Sequence, residues 1–227
     1  NTSIKSGHNP EQGVLFNEKR KVSNMKRILT TIIYIICLTV LVACSHNTTG
    51  IPASEKNTAQ ENDLKIAVVY FSATGNTKAV AELIADEAKA DIYEIIPDKK
   101  YTEDDLNYNN DNCRANREMK DDASRPSIKN DLSAITEYDV IYLGYPVWWG
   151  TNPRIIQTVL DKYDISNSKI YTFCTSGGSG IESSISDLQT MYSNLNIVAG
   201  KRFDNPTEED VKAWLESIGY GERYENR

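Results

Sequence analysis

The sequence predicts an α/β fold in which a five-stranded parallel sheet is doubly wound, with helices on both faces. Two observations lead to this prediction. Five short apolar runs, rich in β-branched residues, suit strands that are buried on both faces of a sheet. Amphipathic segments alternate with these runs, and strands that alternate with helices pair in parallel through right-handed crossovers. The alternation occupies residues 64–227, a length of 164 residues that can form one hydrophobic core.

Each predicted strand is bounded by turn-forming residues. The strands are expected at residues 65–71, 92–96, 139–144, 169–174 and 196–203. Pro97 ends the second run, because proline cannot donate a hydrogen bond to a neighbouring strand.

Four amphipathic helices are predicted from apolar residues at helical spacing. Their apolar faces are Val80, Leu83, Ile84 and Ala88; Ile155, Ile156, Val159 and Leu160; Ile181, Ile185, Leu188 and Tyr192; and Val211, Trp214, Leu215 and Ile218. Asn152 is expected to cap the second helix, with Pro153 at its first position. Thr207 is expected to cap the last helix, and Gly219 to stop it.

The segment 98–136 interrupts this alternation. It is polar and rich in Asn and Asp, with a short helix expected at residues 114–120. We favour the interpretation that it is a solvated excursion. The alternative is a flap beside a ligand, with Tyr101 or Arg117 reaching into the site.

Charge and composition exclude several function classes. The chain of 227 residues has a formal net charge of −7, and residues 64–227 carry 27 acidic and 18 basic residues, so nucleic-acid phosphates would be repelled. His8 and His46 precede this domain, which excludes Ser-His-Asp or Cys-His catalysis and a His-ligated zinc site. Cys113 and Cys174 are too few for a multi-cysteine metal site, and a disulfide between them stays open.

The residues before the domain predict export. Met25-Lys26-Arg27 precedes an uncharged apolar run at residues 28–43. This run of 16 residues is short for a membrane-spanning helix and typical of a secretory signal. The alternatives are a buried helix and an N-terminal membrane anchor.

The end of that run resembles a bacterial lipobox, Leu41-Val42-Ala43-Cys44. The resemblance implies cleavage before Cys44 and lipidation of its thiol, which would anchor the domain to a bacterial membrane, outside the cytoplasm. Residues 1–24 are then an untranslated or over-extended N-terminus, 25–43 a signal peptide, 44–63 a flexible tether, and 64–227 the folded domain.

Three turns are candidate ligand sites, because doubly wound sheets bind ligands at the carboxyl ends of their strands. The first is Ser72-Ala73-Thr74-Gly75-Asn76-Thr77, whose hydroxyls and helix start suit a phosphate. It lacks the Walker and Gly-x-Gly-x-x-Gly patterns, which argues against nucleoside triphosphates and dinucleotides. An ordinary capped turn is the alternative.

The other two turns follow the third and fourth strands. The first of these is Gly144-Tyr145-Pro146-Val147-Trp148-Trp149-Gly150-Thr151-Asn152-Pro153, which holds two adjacent tryptophans that suit stacking on a planar ligand or packing on the domain itself. Thr175-Ser176-Gly177-Gly178-Ser179-Gly180 offers backbone N–H groups to a polar ligand edge, or is a flexible connection.

Together the three turns resemble those of the flavodoxin family, in its branch with a Trp-Trp loop, over residues 65–218. The resemblance implies the strand order 2-1-3-4-5 and non-covalently bound FMN. It implies that the phosphate is bound by Ser72, Thr74, Gly75, Asn76 and Thr77. It implies that the isoalloxazine ring is bordered by Pro146, Val147, Trp148, Trp149 and Gly150. The pyrimidine side of the ring would meet Thr175, Ser176, Gly177, Gly178 and Gly180.

We therefore expect an FMN-binding, lipid-anchored electron carrier, without catalytic acid or base residues and without a metal ion. One alternative is an NAD(P)H-dependent quinone or flavin reductase on the same fold. Another is a binding lipoprotein without redox activity. An acidic domain disfavours the anionic, fully reduced flavin, so we expect a low potential for the second electron. The sequence does not identify the redox partner, which is either a protein or a small electron acceptor.

Overall fold

The computed structural model describes residues 64–220. The predicted signal peptide, the lipidated Cys44 and the tether lie outside the described residues. Among residues 64–220, no helix combines the length and the apolar character that crossing a bilayer requires.

Five parallel strands form one sheet in the order β2-β1-β3-β4-β5, which confirms the predicted fold class. The strands are β1 (Ile66–Tyr70), β2 (Asp91–Glu94), β3 (Val140–Pro146), β4 (Lys169–Thr175) and β5 (Asn196–Phe203). β1 and β3 are central and β2 and β5 lie at the edges, so the carboxyl ends of β1, β3 and β4 meet along one side of the sheet.

Five helices accompany the sheet. They are α1 (Asn76–Ala88), α2 (Arg114–Lys120), α3 (Arg154–Lys162), α4 (Glu182–Met191) and α5 (Glu208–Ser217). α1 and α5 pack on one face of the sheet, and α3 and α4 on the other. Thr207 caps α5 as predicted, through a reciprocal capping box with Asp210.

The predicted cap of α3 is wrong by one residue. The helix begins at Arg154, its N-cap is Pro153 in an extended conformation, and no side chain caps it. Asn152 is instead fully buried and donates its amide to Thr151 Oγ1 at 3.3 Å. The reason is that Thr151 pairs with Trp148 in a tight turn, so the chain enters the helix one residue later than the sequence suggested.

The favoured interpretation of residues 98–136 as a solvated excursion holds for most of the segment, which is exposed, but not for a set of buried residues. The expected helix is present as α2, but Tyr101, Leu132 and Ile135 are buried in the core beneath the sheet. These apolar residues follow no regular period, so the sequence did not reveal them as a face. Arg117 does not reach a ligand site; it donates to the backbone carbonyl of Asn112.

Cys113 and Cys174 are both buried and both free, so the disulfide that the sequence left open is not formed.

Candidate functional site

A cavity of about 730 Å³ opens at the carboxyl ends of the strands, where the sequence predicted a ligand site. Its volume lies within the range of small-molecule sites, about 300–1,000 Å³. Ten of the predicted site residues line it: Thr74, Gly75, Asn76, Pro146, Val147, Trp148, Trp149, Thr175, Ser176 and Gly177. The structure therefore brings all three predicted turns to one cavity.

The first turn delivers the start of α1 to this cavity. Gly75 is the N-cap residue, with a φ of 94° that only glycine adopts without strain. No side chain caps the helix, so the N–H groups of its first turn have no side-chain acceptor. Such a helix start favours an anion, because its N–H groups and the helix dipole point at the ligand.

Two predicted phosphate-binding residues, Ser72 and Thr77, do not line the cavity and instead support the first turn. Ser72 Oγ accepts a hydrogen bond from the Gly75 amide at 3.1 Å and so shapes the turn. Thr77 is buried, and its Oγ1 lies 2.8 Å from Thr175 Oγ1, in the loop after β4. Thr77 therefore fastens the first turn to the third.

The second turn is a hairpin with the two tryptophans at its tip. Trp148 and Thr151 exchange backbone hydrogen bonds of 2.9 and 3.0 Å. Trp149 and Gly150 between them both have positive φ angles, 50° and 80°, which is the pattern of a type I′ turn. Gly150 thus shapes the turn without lining the cavity.

The two tryptophans have different environments. Trp148 packs edge-on against Phe71, with ring centroids 5.8 Å apart, and against Tyr101, at 5.3 Å. Trp149 is 51% exposed at the cavity. Packing on the domain itself, the alternative that the sequence left open, is therefore realised by Trp148, whereas Trp149 has an uncovered ring.

Tyr101 packs against Trp148 and is itself held in place by two residues of α2. Its hydroxyl donates to Glu118 Oε2 at 2.5 Å, and the Arg114 guanidinium lies 3.9 Å above its ring. Burial, followed by the bond to Glu118, raises the pKa of the Tyr101 hydroxyl, so it stays a neutral donor. Residues of the 98–136 segment thus support the site, although Tyr101 itself does not line the cavity.

The third turn contributes Thr175, Ser176 and Gly177 to the cavity wall. Gly178 lies one residue further on; its amide donates to Ser176 Oγ at 3.2 Å, and its carbonyl accepts from Arg202 Nη1 at 3.1 Å. Gly178 and Gly180 do not line the cavity.

Several lining residues were not predicted. They are Leu106, Tyr108 and Ala115 from the 98–136 segment, Ala73, Ala79, Val80 and Leu83 in and before α1, and Phe203, Asp204, Asn205 and Pro206 after β5. The last group was predictable, because β5 ends at the same edge of the sheet as β4. Tyr108, which is 71% exposed, carries no signal in the sequence.

The described lining of the cavity carries little charge. Among residues 64–220, Asp204 is the only charged residue that lines it, so these residues would bind an anionic ligand through neutral donors. Lys78, the cation next to the first turn, pairs with Glu82 at 3.9 Å. Within the described residues, no three His, Cys, Asp or Glu side chains are grouped to hold a metal ion. The cavity is therefore equipped to bind an amphipathic ligand with one anionic end.

The family model described as Flavodoxin matches residues 65–218. The chain belongs to the flavodoxin family. This assignment confirms the resemblance on which the expected strand order rests.

Solved structures support the family assignment. Candidate flavoproteins from Bacteroides eggerthii DSM 20697 and Bacteroides uniformis ATCC 8492 are each 40% identical to this chain, with TM-scores of 0.66. The alignments cover 69% and 67% of this chain and 98% of each of those chains. A flavoprotein from Lactobacillus acidophilus NCFM, solved in complex with FMN, is 26% identical, with a TM-score of 0.54 over 67% of this chain and 99% of its own. No curated protein matches the chain.

The residues present fit FMN. The N–H groups in the first turn of α1, which no side chain caps, suit its phosphate, and the exposed ring of Trp149 suits its planar isoalloxazine. The amides of the third turn suit the polar pyrimidine edge.

Proposed function

We propose that this protein binds FMN non-covalently and serves as a lipid-anchored electron carrier. The observation that carries the proposal is the convergence of three turns on one cavity: an uncapped helix start, an exposed tryptophan and a glycine-rich loop. The flavodoxin-family membership and the FMN complex of the L. acidophilus relative support the choice of flavin.

The bound flavin would supply the redox chemistry, while the protein determines affinity, orientation and potential. Thr74, Gly75 and Asn76 would hold the phosphate through backbone and side-chain donors. Trp149 would cover one face of the ring, on a hairpin fixed by Trp148. In this function no residue needs to transfer a proton.

A visible spectrum of the purified protein with FMN tests the proposal. Flavin absorption that stays with the protein after gel filtration, with two resolved one-electron steps during stepwise reduction, supports a carrier. Direct two-electron bleaching by NAD(P)H would favour the reductase alternative. A protein that retains no flavin would overturn both redox functions and leave the binding lipoprotein.

Trp149→Leu sharpens this test, because it removes an exposed ring at the cavity. We expect the dissociation constant for FMN to rise about tenfold. The free energy of unfolding should stay unchanged, since Trp149 is largely exposed and is not part of the hydrophobic core. Met191→Leu is the control, because Met191 is also exposed, at 45%, and does not line the cavity. Equal affinities of the two variants would exclude ring stacking by Trp149.

The lipid anchor is proposed from Leu41-Val42-Ala43-Cys44 alone. In a bacterial host, the full chain should incorporate a labelled fatty acid and sediment with membranes, and Cys44→Ala should abolish both. Membrane association of Cys44→Ala without label would instead indicate that residues 28–43 stay in place as an anchor.

A further inference from the structure

Arg202 joins two of the loops that form the flavin cavity. It lies near the end of edge strand β5, beside Cys174 of β4. Its Nη1 donates to the Gly178 carbonyl at 3.1 Å, and its Nη2 bonds to Asp204 Oδ2 at 3.4 Å. Gly178 follows the cavity residue Gly177, and Asp204 lines the cavity itself.

The third loop relies on this side chain for its shape. Within the loop, the described hydrogen bond is local, from the Gly178 amide to Ser176 Oγ. The Arg202 guanidinium supplies a long-range bond to Gly178, from 24 residues away, in addition to the contact between Thr77 Oγ1 and Thr175 Oγ1 at the start of the loop. A hydrogen bond from a charged donor is stronger than one between neutral groups, so the bond from Arg202 fixes the position of the Gly178 carbonyl.

Arg202 also places a positive charge next to Asp204, which lines the cavity; Arg202 itself is not a lining residue, and no described lining residue is basic. The Arg202 side chain is 32% exposed, whereas the paired Asp204 is 70% exposed and therefore better screened by water. Arg202 Nε is buried without a hydrogen-bond partner among the described residues. Glu182 is a second carboxylate near this region, because its negative charge adds to the effect of burial in raising the pKa of the Cys174 thiol, whereas the charge of Arg202 lowers that pKa.

We propose that Arg202 is a positioning residue that shapes the pyrimidine-side loop and, through its charge, favours the reduced flavin over the oxidised flavin. This inference rests on the proposed FMN binding. Reduction places negative charge on the pyrimidine half of the flavin, the half that the third loop would meet. A nearby guanidinium stabilises that charge and opposes the effect of the acidic domain, so the potential of the second electron lies higher than net charge alone predicts.

The test compares three variants by FMN titration and by potentiometry of the bound flavin. Arg202→Gln should weaken the binding of oxidised FMN about tenfold, through loss of the loop bond. It should weaken the binding of fully reduced FMN about tenfold more, which lowers the two-electron potential of the bound flavin by about 30 mV, or the potential of the second electron by about 59 mV when the first step is unchanged. Arg202→Lys retains the positive charge but lacks the planar guanidinium that donates two hydrogen bonds. It should therefore leave the flavin potential unchanged and lower only the affinity for FMN. Asp204→Asn removes the counter-charge and should raise the potential of the second electron.

Arg125→Gln is the matched control. Arg125 is similarly exposed, at 33%, and bonds to Asp161 at 2.5 Å, away from the cavity. The inference is overturned if the flavin potentials of Arg202→Gln and Asp204→Asn are the same as that of Arg125→Gln. If Arg202→Gln does not fold, the other two variants decide the inference. A raised potential in Asp204→Asn together with an unchanged potential in Arg202→Lys supports the charge effect. An unchanged potential in Asp204→Asn overturns it. A wild-type protein that binds no FMN refutes the proposed function instead.

Discussion

The first and third turns of the cavity are both short Ser/Gly-rich loops, yet they are held in shape by different means. The first is fixed locally: Ser72 Oγ accepts from the Gly75 amide, and Gly75 leads directly into α1. The third has a similar local bond, from Gly178 to Ser176, but its outer contacts come from distant parts of the chain. The contact between Thr77 and Thr175, 98 residues apart, is shared by both turns, whereas the bond from Arg202 to the Gly178 carbonyl, across 24 residues, belongs to the third turn alone.

This difference shows what each loop needs from the fold. A turn whose donors and acceptors lie within four residues can form wherever its strand and helix form. A loop that depends on distant partners acquires its shape only when the sheet has assembled. The first turn should therefore be sensitive to changes in its own residues, and the third to changes elsewhere.

The largest effect is expected from Gly75→Ala. The φ of 94° is strained for alanine, at a cost of about 1–2 kcal/mol, and relief of the strain would rotate the N–H groups at the start of α1. We expect FMN affinity to fall at least about tenfold and the protein to be slightly less stable. Gly219→Ala, at a φ of 77° after α5, is the control: it should show a comparable loss of stability with unchanged FMN binding. Equal loss of binding in both variants would contradict a local role for Gly75.

The next effect concerns the hydroxyl pair that joins the two turns. Thr175→Val should cost about 1–2 kcal/mol of unfolding free energy, because Thr77 Oγ1 is then buried without its partner. Thr77→Val should cost less, since Thr175 lines the cavity and its hydroxyl can bond to water. Urea unfolding of both single variants and the double variant measures the coupling. Additive effects would show that the 2.8 Å contact contributes nothing.

A smaller effect is expected from removing the serine hydroxyl that accepts a local hydrogen bond in each turn, Ser72 in the first and Ser176 in the third. Ser72→Ala should lower FMN affinity about fivefold, because the Gly75 amide loses its side-chain acceptor. Ser176→Ala should change the affinity less than about twofold, because the Arg202 bond still holds Gly178. Titration by flavin fluorescence measures both. The comparison fails if Ser176→Ala is the more damaging substitution.

The smallest effect concerns Cys174, at the end of β4 immediately before the third turn. Burial raises the pKa of its thiol to about 12, so the folded protein holds almost no thiolate at pH 8. Iodoacetamide should therefore leave Cys174 unmodified in the native protein and label it in urea, as read by mass spectrometry. Labelling of the native protein would show that the third turn opens as far as β4.

The same shift gives the sign of a pH effect on stability. A thiol in the unfolded chain ionises near pH 9, whereas folded Cys174 stays protonated until about pH 12. Its contribution is complete below pH 9 and is lost as the pH rises from 9 towards 12. Cys174→Ala should flatten this part of the pH profile in thermal unfolding.

Much of the site followed from the sequence because it depends on local chemistry. The five strands, the helix at residues 114–120 and the cap at Thr207 are local patterns, and all are present. The buried residues of the 98–136 segment were missed for a different reason. Tyr101 is buried because Phe71 and Trp148 lie beside it, and neither neighbour is close to it in the sequence.

The sequence by itself determined the alternation of strands and helices, the three turns at one edge of the sheet and the absence of histidine from the domain. Hydrophobic period, turn chemistry and composition are properties of contiguous residues, so folding does not change them. Only the tertiary structure decided that Trp148 is packed while Trp149 is exposed, that Thr77 joins two turns, and that Arg202 holds the third. These facts depend on which side chains meet across the sheet, and that is fixed by the packing of distant segments.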